Sequence, residues 1–256
     1  MVQSGLSKPP VFLLKGAKKW GIIEPEKRIA YLDGNEIALG GTRVYELSDS
    51  VTIQGDRYTV VRFSPALLHH VARRGAQVIQ PKDAAYMISR SGTGVGSRVL
   101  ESGIGTGIFT SHILWAIGQG GLLHSIDRNP ESVEIARKNL EKFLDLENWE
   151  PSVMDISEYG GDEVYDTVFL DLPEPWAASS VVGRHTGPGS VLVTYLPTFD
   201  QVERTVLEFV GSGFVHEETT ELISRQLLVR DGATRPDNVS IGHTAFISFF
   251  RKTSGS

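Results

Sequence analysis

From about residue 83 the chain alternates short apolar runs with helix-like segments, and this rhythm constrains the fold more than any other feature. Val99-Leu100-Glu101 reads as a first strand, and a helix follows Gly107. Leu122 to Asp127 reads as a second strand. Asn129-Pro130 caps the next helix, whose apolar positions Val133, Ala136, Leu140 and Phe143-Leu144 recur at helical spacing. Val153-Met154, Thr167 to Leu170 and Val191 to Leu196 supply three more strands. The order βαβαβ implies an α/β fold, a parallel sheet with helices on both faces. Near the end, Glu221 to Val229 and Thr244 to Phe250 read as a hairpin at the sheet edge.

Residues 1 to about 72 have a different texture. Val11 to Leu14, Ile29 to Leu32, Thr42 to Tyr45 and Tyr58 to Val61 are short β-prone runs, punctuated by Asp33-Gly34, Gly40-Gly41 and Gly55-Asp56. They indicate a small antiparallel β module. Ser64-Pro65 then opens a short helix through about Val71, with Ser as N-cap and Pro at the first helical position. The expected division is a β domain over 1–72 and a larger domain over 73–256. Only Thr253 to Ser256 reads as a loose tail.

The chain has 256 residues and no cysteine, which excludes disulfides, thiolate zinc sites and thiol nucleophiles. No apolar run is long enough to span a bilayer, and Met1-Val2-Gln3-Ser4-Gly5 lacks the pattern of a signal peptide. A cytoplasmic location is the default expectation. The net charge of −6 argues against a uniformly basic nucleic-acid coat but leaves room for a local basic face. Lys15, Lys18, Lys19, Arg73-Arg74, Arg225, Arg230 and Arg235 are its candidates, with solvated surface charge as the alternative.

In an open parallel sheet, ligands bind beyond the carboxyl ends of the strands. Glu101-Ser102-Gly103-Ile104-Gly105-Thr106-Gly107 lies there. Its glycines let the backbone turn sharply and approach a ligand closely. Asp127 ends the second strand, where a carboxylate can accept both hydroxyls of a ribose; Arg128 follows it. Asp155, followed by Ile156, ends the third strand, within reach of an adenine amino group. A dinucleotide site normally reads G-x-G-x-x-G. Here the glycines read G-x-G-x-G behind Glu101, a tighter loop with no pyrophosphate to hold and with negative charge nearby. That favours a cationic nucleoside, S-adenosylmethionine, over an anionic dinucleotide; no metal is expected.

The apolar run Val168-Phe169-Leu170 leads into Asp171-Leu172-Pro173-Glu174-Pro175-Trp176. An acidic residue leaving a strand, followed by two prolines, suits a rigid loop that holds a carboxylate over a ligand. Asp171 can accept a hydrogen bond from an exocyclic amino group, or it can cap loop amides. For Trp176, packing is the expected role.

Gln80-Pro81-Lys82-Asp83-Ala84, Glu101 to Gly107, Asp171 to Trp176, Tyr195-Leu196-Pro197 with Gln201-Val202, Arg235-Pro236 and Gly242-His243-Thr244-Ala245-Phe246 occur in this order. Nearly the whole chain thereby resembles the tRNA (adenine-58-N1)-methyltransferase family of bacteria and archaea, related to the catalytic subunit of a two-protein eukaryotic enzyme. The resemblance implies a class I, Rossmann-like methyltransferase domain with a mostly parallel seven-stranded sheet. It implies S-adenosylmethionine as cofactor, tRNA as substrate and partner, and a homotetramer. It implies that Asp171 is the principal catalytic residue. Gln80, Tyr195, Arg235, His243 and Thr244 are the substrate-side candidates, with a satisfied structural histidine as the alternative for His243 and the hairpin entry as the alternative for Arg235-Pro236. Two positions depart from the family: Gln80 stands where an aromatic residue or His is common, and Ile104 where a small residue is.

Three rivals make distinguishable claims. An NAD-dependent oxidoreductase calls for G-x-G-x-x-G and a catalytic Lys, Tyr or His. A non-catalytic tRNA-binding subunit calls for a degraded glycine loop. A DNA adenine-N6 methyltransferase calls for Asp/Asn-Pro-Pro-aromatic, and Leu172 replaces the first of those prolines.

Overall fold

The computed structural model describes residues 11–42, 44–73, 78–238 and 242–254. Met1 to Gly5, Arg43, Arg74 and the last two residues of the tail lie outside them.

The chain begins with six strands: β1 (Phe12–Gly16), β2 (Trp20–Glu24), β3 (Ile29–Leu32), β4 (Asn35–Ala38), β5 (Ser50–Ile53) and β6 (Asp56–Val61). They form one antiparallel sheet in the order β4-β3-β2-β1-β6-β5. Two of its hairpins turn on residue pairs with positive φ, Asp33-Gly34 and Gln54-Gly55. That geometry matches the twist of the flanking strands. Successive residues point to opposite faces, and both faces are used. Leu14, Ile23, Ala30 and Leu32 pack within the module. Leu13 and Ile22 join the core that holds Leu68, Ile113 and Leu140. The run Thr42–Tyr45 is no strand: its described residues lie in a bend and irregular backbone. The helix opened by Pro65 is α1 (Pro65–Leu68); Ser64 occupies the N-cap position without a side-chain cap bond, and the helix ends before Val71.

After α2 (Pro81–Ser91) come β7 (Arg98–Ser102), α3 (Ile108–Ile117), β8 (Leu122–Asp127), α4 (Pro130–Leu140) and β9 (Trp149–Val153). Then follow β10 (Tyr165–Leu170), α5 (Ser179–Arg184), β11 (Thr186–Leu196), α6 (Phe199–Gly211) and β12 (Phe214–Glu221). A small ribbon, β13 (Leu227–Leu228) with β14 (Arg235–Pro236), precedes β15 (Phe246–Lys252). The main sheet has seven strands in the order β12-β15-β11-β10-β7-β8-β9, parallel except where β15 runs against β11 and β12. Two expectations shift. The third strand is Trp149–Val153, not Val153-Met154. The edge hairpin joins β12 to β15, so Glu221 to Val229 is not its first arm. Leu227-Leu228 pairs with Arg235-Pro236 instead.

This topology places the ligand crevice. From β7 the chain steps outward through β8 to β9, then crosses back to lay β10 on the other side of β7. The reversal opens a gap beyond the carboxyl ends of β7 and β10. Gly103 and Asp171 stand there side by side: the Asp171 amide donates to the Ser102 carbonyl at 2.9 Å.

Candidate active site

The three loop glycines answer three different demands. Gly103 has φ +100°, and a Cβ there would sit 2.2 Å from the Asp171 carbonyl oxygen. Gly107, the N-cap of α3, has φ +77°, and its Cβ would meet the Ala136 Cβ at 2.8 Å. Gly105 has φ +55° with open space around it, so only its backbone conformation asks for glycine.

Asp127 holds this loop closed. Its Oδ2 accepts from the Ile104 and Gly105 amides at 3.0 and 3.2 Å, and its Oδ1 from the Asn129 amide at 2.9 Å. One lone-pair direction on Oδ1 is left for a ligand hydroxyl. Asp155 caps a short 3-10 turn through Ser157, whose amide and hydroxyl pull its carboxyl below the usual range. Glu101 lies under the loop and lines neither of the cavities described below. It is 1% exposed and accepts from the Thr110 and Ser125 hydroxyls. Burial pushes its carboxyl up to about 8 despite those donors, with the Asp171 and Asp127 charges acting in the same direction. Its influence on a ligand is therefore through the field and the loop, not through contact.

Two cavities meet at Asp171. One, of about 480 Å³, is bounded by Ile79, Gly103 to Thr106, Tyr195, Pro197 and Thr244. The other, of about 390 Å³, is bounded by Met154, Asp155, Ile156 and Ala178. Asp127, Arg128, Asp171, Leu172 and Pro173 border both. Among the described residues their combined lining sets the carboxylates of Asp127, Asp155, Asp171 and Glu174 against the single cation of Arg128. That balance suits a cationic nucleoside and disfavours a pyrophosphate.

Asp171 is half-buried, and among the described residues its carboxylate accepts no hydrogen bond. Burial, with the Asp127 charge second, pushes it up to about 7. A carboxylate held in a low-dielectric gap without a partner is costly for folding, and it is the arrangement expected where a ligand supplies the partner. The following loop is braced: Gln201 donates its side-chain amide to the Pro173 carbonyl at 2.8 Å, and Trp176 packs under the Arg204 guanidinium at 4.2 Å.

The residues expected toward the substrate divide. Tyr195 and Thr244 border the larger cavity. His243 stands behind it. Its Nδ1 faces Glu221 Oε1 at 2.5 Å and its Nε2 the Pro197 carbonyl at 2.9 Å. The Glu221 contact and the Pro197 carbonyl raise its pKa. Gln80 occupies the N-cap position of α2 without bordering either cavity. Arg235 is exposed on the ribbon, where it donates to Asn238 Oδ1 at 2.8 Å and to the Pro236 carbonyl at 3.1 Å. Of the basic candidates, Lys19 pairs with Asp33 at 2.6 Å, and Arg225 and Arg230 lie exposed around the ribbon.

Three residues take roles that the sequence does not assign them. Asp83 and Lys82 stand behind Tyr195 and Thr244. Asn139 ties the glycine loop to the segment after α1, accepting from the Arg73 amide and donating to the Thr106 carbonyl, both at 2.9 Å. The contacts of Lys82 and Asp83 with residues over a hundred positions away leave no local periodic signal.

The profile of the family described as "tRNA methyltransferase complex GCD14 subunit" matches residues 58–245. The chain belongs to this family. It is 34% identical over 191 residues to the tRNA (adenine(58)-N(1))-methyltransferase TrmI of Thermus thermophilus, covering 74% of each protein. It is 28% identical over 245 residues to the tRNA (adenine(57)-N(1)/adenine(58)-N(1))-methyltransferase TrmI of Methanocaldococcus jannaschii, covering 83% of this chain and 86% of that one. Among solved structures, a SAM-dependent O-methyltransferase from Thermotoga maritima superposes with a TM-score of 0.82 at 22% identity, over 98% of this chain and 96% of that one. At that identity it supports the fold alone, and the fold is that of a class I methyltransferase.

Proposed function

We propose that this member of the family transfers a methyl group from S-adenosylmethionine to N1 of a T-loop adenosine of tRNA, at position 58. The observation that carries the reading is the carboxylate of Asp171, unpartnered among the described residues and set where two cavities meet at the switch point of the sheet.

The donor set fits that cofactor. Asp127 and Asp155 offer free acceptor positions for a nucleoside, with Arg128 and Ile156 on the walls of the same gap. The loop from Gly103 through Ile104, Gly105 and Thr106 to Gly107 lets the backbone close on it. When bound, the cofactor supplies a methyl group already activated by its sulfonium.

The remaining work falls to this chain's residues. They must align adenine N1 for in-line displacement, and positioning of this kind removes roughly 7–11 kcal/mol of barrier in favourable model systems. Attack by N1 leaves positive charge on the base. Asp171, ionised and accepting from the exocyclic amino group, stabilises that charge as it develops, and a partly dry site strengthens the effect. Enzymes that act on a base within a structured nucleic acid take it out of the stack, so the target adenine is extruded to reach the gap.

The homotetramer implied by the resemblance and the cytoplasmic location expected by default belong to the same proposal. Phe199 and Leu207 on α6, 75% and 69% exposed, offer apolar surface for a second copy, and sedimentation of the pure protein tests it. Among the described residues no helix is long and apolar enough to cross a membrane. We also assign residues 1–72 to a small β domain and 73–256 to the methyltransferase domain, in line with the separate six-stranded and seven-stranded sheets.

The test is incubation with an unmodified tRNA transcript and methyl-labelled cofactor, followed by digestion and mass spectrometry. Label in 1-methyladenosine at position 58, with binding that weakens steeply as salt rises, is the expected result. Label in N6-methyladenosine, or none, overturns the proposal.

A further inference from the structure

Behind the larger cavity lies a polar cluster that the reaction itself does not call for. Lys82 and Asp83 sit in the first turn of α2. Asp83 is fully buried, 0% exposed. Its Oδ1 accepts from Lys82 Nζ at 2.7 Å, and its Oδ2 from the Tyr195 hydroxyl at 3.1 Å. Lys82 Nζ also donates to Thr244 Oγ1 at 2.8 Å. One ion pair thus reaches two cavity walls that arrive from different parts of the chain. Tyr195 stands near the end of β11, beside the point where Asp171 leaves the neighbouring strand β10, and Thr244 leads into β15.

An ion pair whose carboxylate is buried and whose ammonium is partly exposed is weak evidence for stability, because desolvation offsets much of its attraction. A hydrophobic pair would fill the same space at no such cost. What the pair adds is direction. The carboxylate fixes the Tyr195 hydroxyl and therefore the direction in which its ring extends. The three donors of the ammonium let Lys82 hold Asp83 and Thr244 together. Burial, then the Asp83 charge, raises the Tyr195 hydroxyl above its ordinary pKa, so it remains a donor throughout the working range.

We propose that Lys82 and Asp83 are positioning residues that hold Tyr195 and Thr244 as the walls against which the target base is seated opposite Asp171. This rests on the methyltransferase reading above. Neither residue borders the cavity, so both act through the two that do. The Tyr195 hydroxyl is already committed to Asp83, so Tyr195 meets the substrate with its ring.

The test is a double-mutant cycle with Asp83→Asn and Tyr195→Phe in the full chain, with tRNA transcript and labelled cofactor. Asp83→Asn weakens the anchor, and Tyr195→Phe removes the hydroxyl but keeps the ring. Each is expected to lower kcat with unchanged affinity for S-adenosylmethionine, by about tenfold to a hundredfold if the wall shifts by about an ångström. The double variant is expected to lose no more than the worse single one, since both cut the same link. Thr244→Val should act likewise through Lys82. Unchanged kcat in Tyr195→Phe, or losses that simply multiply, overturns the inference. If Asp83→Asn fails to fold, Tyr195→Phe and Thr244→Val decide alone. Transfer by the unaltered protein with unimpaired variants sinks this inference only; no transfer by the unaltered protein sinks the underlying reading with it.

Discussion

Replacing Gly103 by alanine probes the junction on which the site depends. The residue has φ +100°, and a methyl group there would lie 2.2 Å from the Asp171 carbonyl oxygen and 3.0 Å from its carbonyl carbon. Both are backbone atoms, so no side chain can swing aside to relieve the clash. The sparsely populated backbone conformation costs about 1–3 kcal/mol and the overpacking another 1–3 kcal/mol, so together about 2–6 kcal/mol. The strain is relieved only by parting the ends of β7 and β10, which moves Asp171. A shift of about 1 Å is enough for roughly a hundredfold loss in turnover. Gly105→Ala is the internal control. It has φ +55° and nothing within 4 Å of the added methyl, so its stability cost is about 1–2 kcal/mol from conformation alone. Urea unfolding and single-turnover methyl transfer measure the two effects. Equal stability losses in the two variants, or a fully active Gly103→Ala, would refute the close-approach argument.

Three further outcomes follow from the same geometry. Asp171 and Glu101 both carry folded-state pKa values above the ordinary carboxylate range, about 7 and about 8. Their linkage therefore favours the fold at low pH and is lost as pH rises from about 4 through those values. Asp171→Asn should flatten part of that slope and raise the denaturation midpoint at pH 8. His243 is also shifted upward, through Glu221, but as a base it gains stability from the shift. Its contribution is fully present below about 6.5, its unfolded value, and fades as pH passes the higher folded one; Glu221→Gln should weaken that dependence, leaving the part due to the Pro197 carbonyl, as read by thermal melts across the range. Asn139→Ala leaves the Arg73 amide and the Thr106 carbonyl without their partner. It should cost about 1–3 kcal/mol in stability and weaken cofactor binding by calorimetry.

The parallel half of the fold was legible because its signals are local. Leu122 to Asp127 is a strand to the residue, and Asn129 does cap α4, its side chain accepting from the Glu131 amide at 3.0 Å. The misses have physical causes. β2 is buried on both faces, so its residues show no alternation, and β4 is short and largely exposed. β9 contains Pro151, which argues against a strand, but β9 is the edge of the sheet, where a missing donor is tolerated. The outer partner of β15 is β12, which lies more than twenty residues earlier in the chain with the ribbon between them, a pairing no local pattern encodes. At the site, the acidic strand ends were visible, but not what each carboxylate does. Asp127 is occupied by loop amides, Glu101 is sealed under the loop, and Asp171 alone of the three is left without a donor among the described residues.

The most direct measurement is single-turnover methyl transfer to tRNA by Asp171→Ala, with cofactor affinity determined on the same preparation. The variant is expected to retain part of its cofactor binding and to lose most of its transfer, because the group that meets the developing charge on the base is gone. Near-normal transfer with normal binding would contradict the assignment of that carboxylate.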